Sequence, residues 1–408
     1  MRIFNSITLA MAVMLASACA NAPTPQPEGN PDDTLDPSPV DGTATGSCTP
    51  PACPLGDATF ITVLGASNPA QLMSLAAEPD GNVLVGASNP STSPGVSGVT
   101  ELSPSGAVLL KLPFGSLVAS DAAGNKYIAG ALGGPIDVHG VVLKPKGNVD
   151  VFLIRLDSRG HLTLAKVLDL CGDGLVSLAV AADGRIALSG TEFGTVVLSS
   201  TGHIEHQFPE VGQLAFDSTG DLLIAGSQTA SAFAFLERRA PDGKLLFHTS
   251  FEGQGAQFTA LAVDANDNIV LAGFTTAFVD IFGLDITAKF APESGRVTGA
   301  FVAKVTPAFV RLLALDLGIV EANAVALDSS GRIFVGGAVT VNTGFHRSPV
   351  IITVAANGST STFDFGCEGG RVLALAVDAC GSVLAGLVRQ QSPDPTSPID
   401  AIVQKLAL

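Results

Sequence analysis

The chain has 408 residues, of which 47% are hydrophobic and only 14% charged, so it can bury a large core; 45 Gly and 25 Pro favour short strands joined by turns. Lys plus Arg number 21 against 37 Asp plus Glu, a net charge of −16 with no basic cluster. Such a surface repels phosphate backbones, which argues against nucleic acid as a partner.

Residues 1–18 read as a signal peptide: Arg2 gives a small positive start, and Ile7 to Ala16 is an apolar run too short to span a bilayer. Leu15-Ala16-Ser17-Ala18-Cys19 fits two processing routes. Ala16-x-Ala18 suits ordinary cleavage, and the same segment suits a bacterial lipobox in which Cys19 becomes the lipidated first residue. Cys19 at the cleavage point, followed by an extended stretch, favours lipidation, although Ala16 stands where a lipobox usually has Leu. Residues 19–57 are rich in Pro, Thr, Ser, Gly and Asp. They have too little apolar surface to offset ordering entropy and read as a semi-extended tether. The expected location is the outer membrane or cell surface as a lipoprotein, with a periplasmic or secreted form as the alternative. Beyond Cys19 remain Cys48, Cys53, Cys171, Cys367 and Cys380, an odd number. Cys48 and Cys53 are close enough to pair, and the other three are expected to be unpaired.

From residue 58 to 408 one segment recurs seven times: Leu75-AAEPDG, Val118-ASDAAG, Leu178-AVAADG, Leu214-AFDSTG, Leu261-AVDAND, Val325-ALDSSG and Leu375-AVDACG. Each is followed by an apolar run ending in Gly, at 86, 130, 190, 226, 273, 337 and 386, an average spacing of fifty residues. That period predicts an all-β, seven-bladed propeller with one four-stranded antiparallel sheet per repeat. In each hairpin Asp starts the turn through its side chain and Gly takes the positive-φ position. The recurrent Ala (76, 119, 179, 215, 262, 326, 376) falls on the innermost strand, where sheets converge. Third strands are expected at 99–102, 151–156, 196–199, 232–238, 300–305, 350–354 and 401–406, with a fourth after most of them. The seventh third strand has no successor. Strand 58–64 should pair with 400–406 and close the ring, which hides two sheet edges.

These repeats resemble the bacterial seven-bladed β-propeller repeat family, whose hairpin resembles Ala119–Gly130 and Leu261–Gly273 and whose third strand resembles Asp150-VFLIRL and Asp400-AIVQKL. The resemblance spans roughly 58–408 and implies export and a scaffold or interaction role, with no catalytic residues to carry over. Trp is absent and Tyr127 is the only Tyr, which departs from the family pattern.

No nucleophile elbow, zincin motif, phosphate-binding loop or Cys-x-x-Cys occurs. His203 and His206 have an odd spacing that puts them on opposite faces of a strand, so no metal site is expected there. Asp121, Asp217, Asp264, Asp328 and Asp378 invite calcium but lack the D-x-D-x-D-G spacing, and turn initiation accounts for them. No cofactor is expected, with calcium the one ion an acidic surface would attract.

Chain reversal puts loops 88–97, 131–149, 274–299, 339–349 and 388–399 on one end of the disc, together with the blade-to-blade connections. Those connections carry Asp169, Asp173, Glu210, Glu252, Asp316, Glu321 and Glu368, with Arg371 the only base, a candidate rim for a cation, an amine or a basic partner. A solvated acidic surface is the plainer explanation. The expected function is non-enzymatic: a monomeric binding scaffold for a protein, peptide or glycan at the loop-rich end, touching membrane only through the lipid. The alternatives are a lyase or hydrolase using the channel mouth, which would gather His, Arg and Tyr there, and a structural envelope component.

Overall fold

The computed structural model describes residues 60–65, 71–89, 96–170, 174–227, 233–251, 255–291, 296–319, 321–340, 347–365, 370–390 and 399–408. Among these every helical or extended element is a β-strand, and the strands form seven antiparallel blades, as the repeat predicts. Blade 1 runs outward through Gln71–Ala77, Val83–Asn89, Val96–Leu102 and Val108–Leu112. Blade 5 runs through Gln257–Val263, Ile269–Thr275, Arg296–Val305 and Arg311–Asp316, with short Lys289–Ala291 added beside Arg296–Val305.

Blade 7 is assembled from both ends of the chain. Gly370–Val377, Val383–Gln390 and Ile399–Leu406 are completed by Ile61–Gly65, with Ile61 opposite Gln404 and Val63 opposite Ile402. The Lys405 amide donates to the Phe60 carbonyl at 3.0 Å, extending that pairing. The closing strand thus lies where the repeat count requires it.

Between the blades lie seven hydrophobic clusters among the described residues, one per seam. The repeat explains their composition. Leu or Val of the motif (Leu75, Val118, Leu178, Leu214, Leu261, Val325, Leu375) packs toward the preceding blade. The adjacent Ala, seen at Ala76, Ala119, Ala179, Ala326 and Ala376, packs toward the following one. Consecutive side chains of a strand point to opposite faces, so each seam meets a large residue from one side and a small one from the other. Burying each large aliphatic side chain contributes about 1.5–3 kcal/mol.

Glycine at the end of the second strand lets backbone approach backbone. A Cβ on Gly273 would collide with the Gln257 carbonyl, and one on Gly337 with that of Glu321. Inner strands are tied to the next blade by side chains. Ser74 Oγ accepts from Val118 N at 2.8 Å, Ser177 Oγ accepts from Leu214 N at 3.1 Å, and Asn323 Nδ2 donates to Val372 O at 3.0 Å.

Candidate functional site

The two ends of the disc are built differently. At one end lie the uniform turns between first and second and between third and fourth strands. In the first set, in blades 2, 4, 5, 6 and 7, one Asp oxygen accepts the amides two and four residues on: Asp264 takes Asn266 and Asn268, and Asp378 takes Cys380 and Ser382, all at 2.9 Å. The remaining oxygen meets a base from the third strand. Lys304 Nζ lies 2.7 Å from Asp264, Arg238 Nη2 2.7 Å from Asp217 and Lys405 Nζ 2.7 Å from Asp378. In blades 4, 5 and 7 the turn Asp and a basic residue of the third strand therefore form one latch. Asp264 is partly buried, which alone would raise its pKa, but hydrogen bonds from Lys304, Asn268 and the turn amides hold it down at about 2.

Blade 5 departs from this uniformity. Asp267 and Phe309 adopt positive φ (60° and 61°) where the other blades use Gly. Each finds a partner in blade 4: Asp267 accepts from Ser218 N at 2.8 Å and Ser218 Oγ at 2.6 Å, and Phe309 stacks on Phe247 with centroids 3.5 Å apart. Cys380 is disulfide-bonded, which corrects the expectation of a free thiol; Cys48, Cys53, Cys171 and Cys367 lie outside the described residues.

At the opposite end, two segments expected to be plain loops contain matched hairpins. Ile136–Val138 pairs with Val141–Leu143, and Phe278–Asp280 with Asp285–Thr287. Each turns through a non-glycine and a glycine at positive φ, His139-Gly140 (52°, 88°) and Phe282-Gly283 (53°, 78°), the geometry of a type I′ turn. Asp137 and Asp280 take the amides of Gly140 and Gly283. Val138 and Leu143 enter the seam between blades 1 and 2, and Val279, Ile281 and Ile286 that between blades 4 and 5. The opposite side is open: Val141, Val142 and Phe278 are 45%, 52% and 44% exposed. The signal was present in Ile136-DVHGVV-Leu143 and Val279-DIFGLD-Ile286, two β-branched-rich apolar runs flanking an x-Gly pair, alternating with Asp except at Val141-Val142.

The rim acids separate into distinct situations. Asp169 is exposed after strand Leu162–Leu168, and exposed Asp316 accepts from Gly318 N at 2.9 Å. Glu210 lies 3.2 Å from Arg239, and Glu321 is paired with Arg347, with Arg371 at 3.9 Å. Arg239 and Arg347 come from third strands, so only folding brings them to the connections. Glu321 Oε2 is buried without a hydrogen-bond partner. Asp173, Glu252, Glu368 and Cys19 lie outside the described residues. The described histidines are His139 in the blade 2 hairpin and His161, His203, His206 and His248 on or beside fourth strands, away from the axis, while Tyr127 is 1% exposed.

Among solved structures the chain is similar to streptogramin B lyase (13% identity, covering 84% of this chain and 97% of that one, TM-score 0.54). It is also similar to virginiamycin B lyase from Staphylococcus aureus (9%, 86% and 100%, 0.53) and to the WD40 repeats of RRP9 (11%, 85% and 97%, 0.52). What they share is the propeller fold. Identities this low carry nothing about activity. No family model and no curated protein matches the chain.

Proposed function

We propose that this protein is an exported scaffold of the bacterial seven-bladed propeller repeat type, held at the cell envelope through Cys19 and the 19–57 tether. It presents its loop-bearing end to a protein or peptide partner. The observation that carries this reading is the asymmetry of the disc. One end is closed by short turns of one kind, most of them built on an Asp that accepts its own turn amides. The other bears two outgrown hairpins that the repeat does not require, with Val141, Val142 and Phe278 on their open sides. It is these added elements and not apolar exposure that set this end apart, since Val108, Ile204, Leu245 and Val310 beside the short turns are 46%, 46%, 45% and 62% exposed. The Lys405 amide donates to the Phe60 carbonyl, so residue 60 lies at the short-turn end of the ring.

A photo-crosslinking residue placed at Val142 or Phe278 is expected to capture a partner in the native host, while one at Asp242 in a short turn does not. Equal capture from both ends, or none from the hairpins, would sink the proposal. Radiolabelled palmitate should mark the parent protein and be lost in Cys19→Ala; an unlabelled parent would leave the scaffold role standing and remove the anchor.

A further inference from the structure

Blade 1 breaks the latch pattern of the short-turn end. Glu78 occupies the position of Asp264 and Asp378, and across from it on the third strand Glu101 replaces Lys304 and Lys405. Two carboxylates therefore face each other where blades 4, 5 and 7 pair an acid with a base. The compensating charge comes from the next blade. Lys126, the first residue of strand Lys126–Leu132 in blade 2, puts Nζ 3.2 Å from Glu78 Oε2 and 2.5 Å from Glu101 Oε1. The side chains of Glu78, Glu101 and Lys126 are 2%, 8% and 5% exposed. With both acids ionised, the buried cluster carries one uncompensated negative charge, and Glu78 Oε1 has no hydrogen-bond partner.

The surrounding groups do not supply the missing donor. Asn82 Nδ2 donates to Glu101 Oε1 and Asp80 Oδ2, both at 3.0 Å, and Asp80 adds a further negative charge to the turn. From the blade 2 turn, Asp121 is taken up by Asn125 at 2.7 Å and by the Tyr127 hydroxyl at 3.0 Å.

We propose that the seam between blades 1 and 2 is a proton-operated latch, closed when the Glu78–Glu101 pair holds one proton around Lys126 and loosened when that proton leaves. A protonated Glu78 has an O–H to donate, and the remaining Glu101 carboxylate balances Lys126 one to one. Burial pushes the Glu78 carboxyl up to about 7, against the pull of Lys126 and helped by repulsion from Glu101 and Asp80. The direction follows from linkage. The folded state holds a proton that the unfolded chain, with a carboxyl near 4.5, releases. The contribution to stability is complete at acid pH, declines as pH rises toward 7 and is gone above it. The hairpin residues Val138 and Leu143 pack in the same seam cluster, so a looser seam also reaches the loop-bearing end.

Glu78→Gln, a permanent mimic of the protonated form, tests this in the full chain. At pH 4 it should melt with the parent, and at pH 8 above it by roughly 2–4 °C. Hydrogen exchange corrected for intrinsic pH dependence should show residues 71–89 and 126–143 of the parent exchanging faster at pH 8 than at pH 5, and no such change in the variant. Glu101→Gln leaves Glu78 and Lys126 as a balanced pair and should abolish the same pH response. A difference between parent and Glu78→Gln that is constant from pH 5 to 8, or a response that survives in Glu101→Gln, would overturn the proposal.

Discussion

At the seam between blades 4 and 5, a hairpin fills the gap at one end and the turns at the other are tied by hydrogen bonds and ring stacking. Asp267 bonds Ser218, Phe309 stacks on Phe247, and Arg238 donates to Asp221 at 2.8 Å and to the Pro307 carbonyl at 3.2 Å. The seam between blades 1 and 2 has a matching hairpin, but its turn end depends on Lys126 standing between two acids. The same repeat position thus serves two purposes. Where acid meets base within one blade, the sheet satisfies itself; where acid meets acid, the blade must borrow from its neighbour, and the joint becomes sensitive to pH.

The sharpest way to break this contrast is Lys126→Met, which leaves two buried carboxylates without a counter-charge. It should cost about 3–5 kcal/mol in denaturant unfolding at pH 8, and distinctly less at pH 5, where one acid is neutral. At the other seam Phe309→Ala keeps the left-handed backbone but removes the ring, for an expected loss of about 2 kcal/mol. Phe309→Gly should lose about 1 kcal/mol less, because it relieves the positive-φ strain. Equal losses from the two would show that no strain is stored there. Asp264→Asn should cost about 1–2 kcal/mol at neutral pH by weakening the Lys304 and turn contacts. Because the folded pKa of Asp264 lies at about 2, that margin should be present above the ordinary carboxyl range and fade as pH falls through 2, readable by circular dichroism during acid titration. The smallest effect belongs to Asp267→Gly, where relief of strain offsets the lost Ser218 bonds, leaving a change within about 0.5 kcal/mol.

The fold was legible because the repeat carries it. Leu-Ala-x-Asp-x-x-Gly encodes a strand that is large on one face and small on the other, and then a defined turn, which is enough to count blades and find the closing strand. The latch was half legible: each Asp was visible as a turn former, but its pairing with Lys304 or Lys405 spans two strands and has no local signature. The hairpins 136–143 and 278–287 were missed because their length alone suggested loops, although His139-Gly140 and Phe282-Gly283 between apolar runs were turn signals in plain sight. Of the rim acids, Glu210 and Glu321 have basic neighbours, Arg239 and Arg347, that reach them only through folding. Linear charge counting cannot see such neighbours.

Blade 7 carries a consequence for timing. Its outermost strand, Ile61–Gly65, is made before any other strand of the ring, and its partner, Ile399–Leu406, is made after all of them. A chain emerging from a ribosome or an export channel therefore keeps Ile61–Gly65 waiting for its partner through the synthesis of all the strands between, and the ring can lock only once Ile399–Leu406 has come through.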